Sequence, residues 1–224
     1  MGGDLGSASK GMVVGVLRGT KEVGAEALST ISASVSSLVR ETASVGGNVA
    51  STAKGAVEGT IQAAKDVGVN AGDAVAAVVA GAMRATGEVG TSATVASSSI
   101  VSGVIRGTSQ VGGELGSAAK HAVLGVFRGT KDIGVGAFST VSESAGVVIK
   151  ETAAVGGSLS VVAKNTVEGA KELGLDVAEA ASAAATGAVK AAGSVSKVAT
   201  EEVTKAVTGI ISGVKVVVKA PFKN

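Results

Sequence analysis

The segment RGTKEVG at Arg18–Gly24 returns as RGTKDIG at Arg128–Gly134, with looser copies between: RETASVG (Arg40–Gly46), RATGEVG (Arg84–Gly90) and RGTSQVG (Arg106–Gly112). Aligned on this segment, units begin at Arg18, Arg40, Gln62, Arg84, Arg106, Arg128 and Lys150, each 22 residues after the last. The next begin at Glu168, 18 residues on, and Lys190, 22 further. The slip is local: VEGTIQAAKDVG (Val57–Gly68) reappears as VEGAKELG (Val167–Gly174), four residues shorter. A longer duplication overlies the units, because MGGDLGSASKGMVVGVLRGTKEVG matches VGGELGSAAKHAVLGVFRGTKDIG at an offset of 110. Such self-similarity forces every unit towards the same local structure. It divides the chain into a first half, 1–110, and a duplicated second half, 111–224, in one continuous repeat region without a separate globular domain.

Each unit splits into two elevens. Numbered from its first residue, position 6 carries Val23, Val45, Val67, Val89, Val111, Ile133, Val155, Leu173 and Val195. Position 7 is Gly in eight units and Ser196 in the ninth, and position 3 is Thr or Ala. Positions 10, 14, 18 and 22 are mainly Val, Ala, Ile or Leu. Eleven residues make three turns at about 3.67 residues per turn, close to the natural α-helix. On that wheel the apolar and small positions fall in one arc roughly 130° wide, an amphipathic helix. Lysines border the arc at Lys10, Lys21, Lys54, Lys65, Lys120, Lys131, Lys164 and Lys171. Arginine at position 1 and acids at position 5, as in Arg18/Glu22 and Arg84/Glu88, form i,i+4 pairs on the outer side. A β-solenoid rung would need apolar residues at every second place. Here they recur at every fourth, so helix is expected. The expected fold class is all-α: long amphipathic helices of 11/22-residue repeats, extended or folded as a hairpin.

Glycine limits that helix. There are 34 in the chain, and each interior one costs about 1 kcal/mol relative to Ala. An isolated helix is therefore weak in water, and a lipid surface or a neighbouring helix is needed to stabilise it. Pairs at Gly-xxx-Gly spacing, Gly15/Gly19, Gly103/Gly107 and Gly125/Gly129, mark places where helix backbones can pack closely.

The composition excludes several classes. Three Phe, no Trp and no Tyr leave few large side chains for an ordinary core. A hydrophobic fraction of 46% with 17% charged residues is unlike a disordered chain. A net charge of +2 gives no basic excess for a nucleic-acid backbone. Without cysteine there is neither a disulfide nor a thiolate metal site. No Walker-type GxxxxGK run occurs, and the glycines of Val111–Lys120 fall on the repeat's own positions. His121 replaces residues such as Gly11 at a polar position and reads as a surface side chain. Glu201 and Glu202 are adjacent and diverge on a helix. No enzyme, catalytic residue, metal, cofactor or small-molecule substrate is expected. The N-terminus lacks a secretory h-region, and no apolar run approaches the ~20 residues of a membrane span.

The elevens containing GTKEV (Gly19–Val23), GTKDI (Gly129–Ile133), KGAVEG (Lys54–Gly59) and KNTVEGAK (Lys164–Lys171) resemble the repeats of synucleins. The Thr/Gly/Val/Lys composition is similar to the repeat region of perilipins, the lipid-droplet coat proteins. The resemblance covers nearly the whole chain as periodicity and composition, and it implies a chain that becomes a long helix on lipid. Lysines are sparser here than in synucleins, and the acidic tail is absent.

Two functions are expected from this reading. The first is a peripheral lipid-surface protein, cytoplasmic and bound to a membrane or lipid droplet. Its position-6 residues from Val23 to Val195 would enter the acyl boundary, and its eight bordering lysines would reach headgroups. The second is a self-assembling structural protein whose apolar, Gly-rich faces meet in a bundle or filament, a homo-oligomer.

Overall fold

A computed structural model describes Gly11, Gly15 and residues 25–44, 46, 48–67, 72–90, 92–132, 136–172, 177–211 and 213–218. Among these the fold is all-α apart from one short hairpin. The helices are α1 (Ala25–Ser44), α2 (Val49–Val67), α3 (Gly72–Glu88), α4 (Ala93–Gln110), α5 (Leu115–Asp132), α6 (Ala137–Ala154), α7 (Leu159–Lys171), α8 (Val177–Val195) and α9 (Lys197–Val207). Strands β1 (Gly209–Ile211) and β2 (Val214–Val216) follow, antiparallel, with Ile210 opposite Lys215.

In place of an extended helix, the chain forms helices of 11 to 20 residues. Among the described residues, the breaks after α3, α4 and α6 fall on the Val-Gly of repeat positions 6 and 7, and that after α8 on Val195–Ser196. Gly112 and Gly156 have φ of 69° and 71°, the left-handed region that glycine enters without a Cβ penalty. Around them the backbone closes a Schellman cap. Gly113 N–H donates to Thr108 O at 2.9 Å and Gly112 N–H to Ser109 O at 3.0 Å. The same pair of bonds runs from Gly157 to Thr152 and from Gly156 to Ala153. The recurring glycine therefore terminates helices and does not extend their apolar arc. After one of these turns Asn48 caps α2, its Oδ1 accepting from Ser51 N–H at 3.0 Å.

The helices are held by packing two apart in sequence. α1, α3, α5 and α7 pack in succession, as do α2, α4, α6 and α8, with further contacts between consecutive helices. Ser32 and Ser36 on α1 meet Gly81 on α3, while Arg40 further along α1 meets Glu88 further along α3. Helices two apart thus run in the same direction. The side chains between them are small: Ala, Val and Gly predominate, and the largest fully buried ones are Ile31, Met83, Ile100, Ile105 and Ile149. Threonine fits this interior by turning its hydroxyl back on its own helix. Thr42, Thr60, Thr130 and Thr166 donate to the carbonyl four residues earlier, which satisfies a polar atom that would otherwise be costly to bury.

Two apolar clusters result. One joins α1 to α5, with Val148 and Val162. The other joins α6 to α9 and the hairpin, with Val123 and Phe127. Helix α5 contributes to both; the first cluster crosses the boundary between the duplicated halves, and the second lies wholly within the second half. At the C-terminal end Val203, Val207, Ile211 and Val216 are buried, and Val217 N–H donates to Ser182 Oγ on α8 at 3.1 Å.

Candidate functional site

The residues expected to face lipid do not form a line. Val23, Val45, Ile133 and Leu173 lie outside the described residues, as does the side chain of Val67. Val89, Val111 and Val155 are half-buried in the turns that follow α3, α4 and α6, and Val195 is exposed at the end of α8. The reason is the glycine beside them. It turns the chain, so position 6 sits at helix ends rather than along a continuous face. The continuous apolar stripe is instead spent on neighbouring helices: Val35 and Val39 of α1, Val75 and Val79 of α3, and Val101 and Ile105 of α4 are all buried.

The lysines are divided in the same way. Lys10 and Lys21 lie outside the described residues. Lys54 pairs with Glu58 at 3.7 Å on α2, and Lys120 on α5 pairs with Glu172 at 2.5 Å. Lys65, Lys131 and Lys164 are exposed, and Lys171 is half-exposed. They are distributed over α2, α5 and α7, which belong to both rows of helices, so no single row presents them all.

The Gly-xxx-Gly residues sit at helix crossings. A methyl on Gly125 would lie 2.6 Å from Ala76 O and 2.7 Å from Val79 Cβ, and one on Gly129 would lie 2.5 Å from Met83 Cβ. Gly103 meets Lys54, and Gly107 meets Ile61 and Glu58. Gly15 is exposed with nothing within 4 Å, and Gly19 lies outside the described residues. Further glycines make the same contact: Gly81 against Ser32 and Gly169 against Lys120, each about 2.5 Å from a backbone carbonyl. Gly81, Gly103, Gly125 and Gly169 each meet the residue at one constant offset earlier in the chain. The helices therefore cross in one repeated register, backbone against backbone, which only a residue without Cβ permits.

Charged residues bridge the same crossings. Arg40 pairs with Glu88 from α1 to α3. Arg106 on α4 grips Glu151 on α6 with two hydrogen bonds, Nε at 2.7 Å and Nη2 at 3.2 Å, and Ser102 Oγ donates to the same carboxylate at 2.9 Å. Burial raises the Glu151 pKa, but the hydrogen bonds from Arg106 and Ser102 and the charges of Arg106 and Lys54 outweigh it, leaving the carboxyl below its ordinary value. The same pair raises the Arg106 guanidinium. Glu88 at position 5 bonds to Arg40 across helices and Arg106 at position 1 reaches two helices on, whereas Gln62 Nε2 keeps the contact from position 1 to position 5, donating to Asp66 Oδ1 at 2.9 Å. The pair Arg18/Glu22 lies outside the described residues. These cross-helix pairs leave no local spacing signal, since the partner is set by packing.

His121 is not an open surface side chain. Its ring packs over Gly72, and Nδ1 lies 2.8 Å from Ser117 O. Glu202 accepts from Ser160 N–H at 3.1 Å, at the start of α7.

One groove combines charge with an apolar floor. It crosses α1, α3 and α5, with a volume of about 520 Å³. Ala76, Ala77, Ala80 and Phe127 line it, together with Asp73, Arg84, Arg128, Lys131 and Glu172. Arg84 Nη2 donates to Ser32 Oγ at 2.7 Å, which fixes the guanidinium on the wall.

The sequence matches no protein-family model and no curated protein. Among the described residues no helix is long and apolar enough to cross a membrane.

Proposed function

We propose that the protein is a structural scaffold that works by stacking its own helices, the 22-residue unit supplying one helix and one turn. The observation that carries this reading is the glycine at every crossing between helices two apart from α1 to α8, except that of α4 with α6. A helix lying on lipid gains nothing from glycine, and each one costs it about 1 kcal/mol relative to Ala. At a crossing such as Gly125 on Ala76 the same glycine allows a backbone contact that a Cβ would break. Glycine is retained where helices meet, which is what a stack requires. Nothing in this reading calls for catalysis, a metal or a nucleic acid. A homo-oligomer would extend the same packing between chains.

A second reading, the peripheral lipid coat, has a narrower support. Val198, Ile210 and Val217 are exposed, with Lys197 beside Val198 and Lys215 opposite Ile210. Apolar tips beside cations suit a lipid surface. Full binding on lipid would require the helices to leave one another and turn their buried stripes outward.

Far-UV circular dichroism of dilute protein, with and without lipid vesicles, separates the two. The scaffold reading expects a strong helical spectrum that neither dilution nor vesicles change. A coil that becomes helical only with vesicles would overturn it in favour of the lipid coat. Helicity that rises with protein concentration would move the stacking from within the chain to between chains.

A further inference from the structure

The four-residue slip in the repeat has a structural counterpart beside the groove. Helix α7 has 13 residues, whereas its duplicate α2 has 19. Gly116 on α5 faces Val161 and Asn165 on α7, and Lys120 faces Gly169 and Glu172. Helix α7 therefore ends level with Lys120, while α5 continues to Asp132. Phe127, Arg128 and Lys131 stand on the part of α5 that extends past it. The Phe127 ring is held by Phe138, with centroids 6.1 Å apart.

The charges of the groove are separated along its length. Asp73 and Glu172 stand at one end, and Glu172 is already tied to Lys120. Arg84, Arg128 and Lys131 stand at the other. Asp73 and Arg84 are eleven residues apart on α3, about 16 Å at 1.5 Å per residue. Between them the part-exposed apolar side chains of the wall are Leu28 of α1 and Ala77 of α3, over the buried Ala76 and Ala80. The volume lies within the usual range of about 300–1,000 Å³ for small-molecule sites.

We propose that this groove binds a single-chain anionic amphiphile, its carboxylate or phosphate among Arg84, Arg128 and Lys131 and its alkyl chain along Leu28 and Ala77. The occupant follows from charge complementarity. Arg84, Arg128 and Lys131 line one end, and between them and Asp73 the lining carries no polar side chain but Ser29 and Ser32. A guanidinium pair with a lysine suits an anionic oxygen cluster. Removal of water from Leu28 and Ala77 makes affinity grow with chain length. The proposal stands apart from the scaffold reading, because the groove needs only the folded chain.

The test is isothermal titration of the full chain with decanoate and, separately, decyl phosphate, each below its micelle concentration. One saturable site is expected for at least one of them, several-fold weaker for the octyl homologue. Decanol and decyltrimethylammonium should bind at least tenfold more weakly. The double variant Arg128→Ala/Lys131→Ala, both positions exposed, should weaken decanoate binding at least tenfold. Ala77→Leu, which fills the floor, should abolish it. Circular dichroism of each variant checks the fold independently, and a misfolded Ala77→Leu leaves the double variant to decide. The proposal is overturned by no saturable site for either anion, by equal binding of the cationic amphiphile, or by native affinity in a folded double variant. Association with anionic vesicles alone, without binding of the free amphiphile, would also overturn it.

Discussion

Two glycines in one interface allow a sharp test of the stack. Gly146 on α6 and Gly187 on α8 both lie between these two helices. Either change to Ala removes a helix-interior glycine, worth about 1 kcal/mol in propensity. Their surroundings differ. A methyl at Gly146 would sit 3.5 Å from Ala191 Cβ and 3.5 Å from Gly187 O, ordinary van der Waals contact. A methyl at Gly187 would overlap the Ser142 carbonyl outright. Helix α8 would have to move away from α6, and overpacking of this kind typically costs 1–3 kcal/mol, occasionally more. Separation would also loosen Ala180, Ala184 and Ala188, all fully buried. We place the net loss for Gly187→Ala at about 2 kcal/mol and the gain for Gly146→Ala at up to about 1 kcal/mol. At about 2–4 °C per kcal/mol for a chain of this size, Tm should fall by about 4–8 °C in the first and rise by about 2–4 °C in the second. Thermal unfolding followed at the helical band, with urea melts alongside, reads both. If the two variants shift in the same direction, the backbone crossing between α6 and α8 is not the source of stability. A helix lying on lipid predicts stabilisation by both.

Gly156→Ala puts a Cβ on a residue at φ 71° with open space around it; strain alone should destabilise by about 1–2 kcal/mol, measurable as a lower urea midpoint without a changed slope. Glu151→Gln tests the cross-helix pair: its folded pKa is lowered, so its contribution is complete above the ordinary value of 4.5 and disappears as pH falls through the lower folded value. The variant should melt below the natural chain at pH 7 and converge with it in acid; parallel pH profiles would show that the pair contributes nothing.

Helix class was legible because apolar residues recur at every fourth place while positions 3, 7 and 21 break the alternation that a strand needs. The turns were not, and the reason is numerical. Twenty-two residues are six helical turns at about 3.67 per turn, so the apolar stripe resumes in phase whether the chain runs straight or folds back. The amphipathic wheel looks continuous across a break. A capping signal was nevertheless present: Gly46–Gly47, Gly112–Gly113 and Gly156–Gly157 follow the Val, with Asn48, Glu114 and Ser158 next. Two glycines and then a polar residue suit a C-cap followed by an N-cap. Gly103, Gly107, Gly125 and Gly129 stand at crossings, but which helix each meets depends on the fold. The groove was invisible for the same reason, since its lining comes from α1, α3 and α5, with Glu172 from the end of α7.

The duplication sharpens why the contact lies between helices two apart. Its offset of 110 residues is five units, an odd number, so the duplicate of a helix in one row falls in the other row. Helix α1 corresponds to α6, and α3 to α8. Yet the same contact forms in both: Gly81 on α3 meets Ser32 on α1, and Gly187 on α8 meets Ser142 on α6. Ser142 stands 110 residues after Ser32, whereas Gly187 stands 106 after Gly81, because the four-residue slip lies between them in sequence. The crossing keeps its register across that deletion. It is set by the two helices that touch and not by the length of the one that connects them. A shortened α7 is thus tolerated at the α6–α8 crossing. Restoring the four missing residues within Val167–Gly174 should therefore leave the α6–α8 contact intact while changing the neighbourhood of Phe127, Arg128 and Lys131.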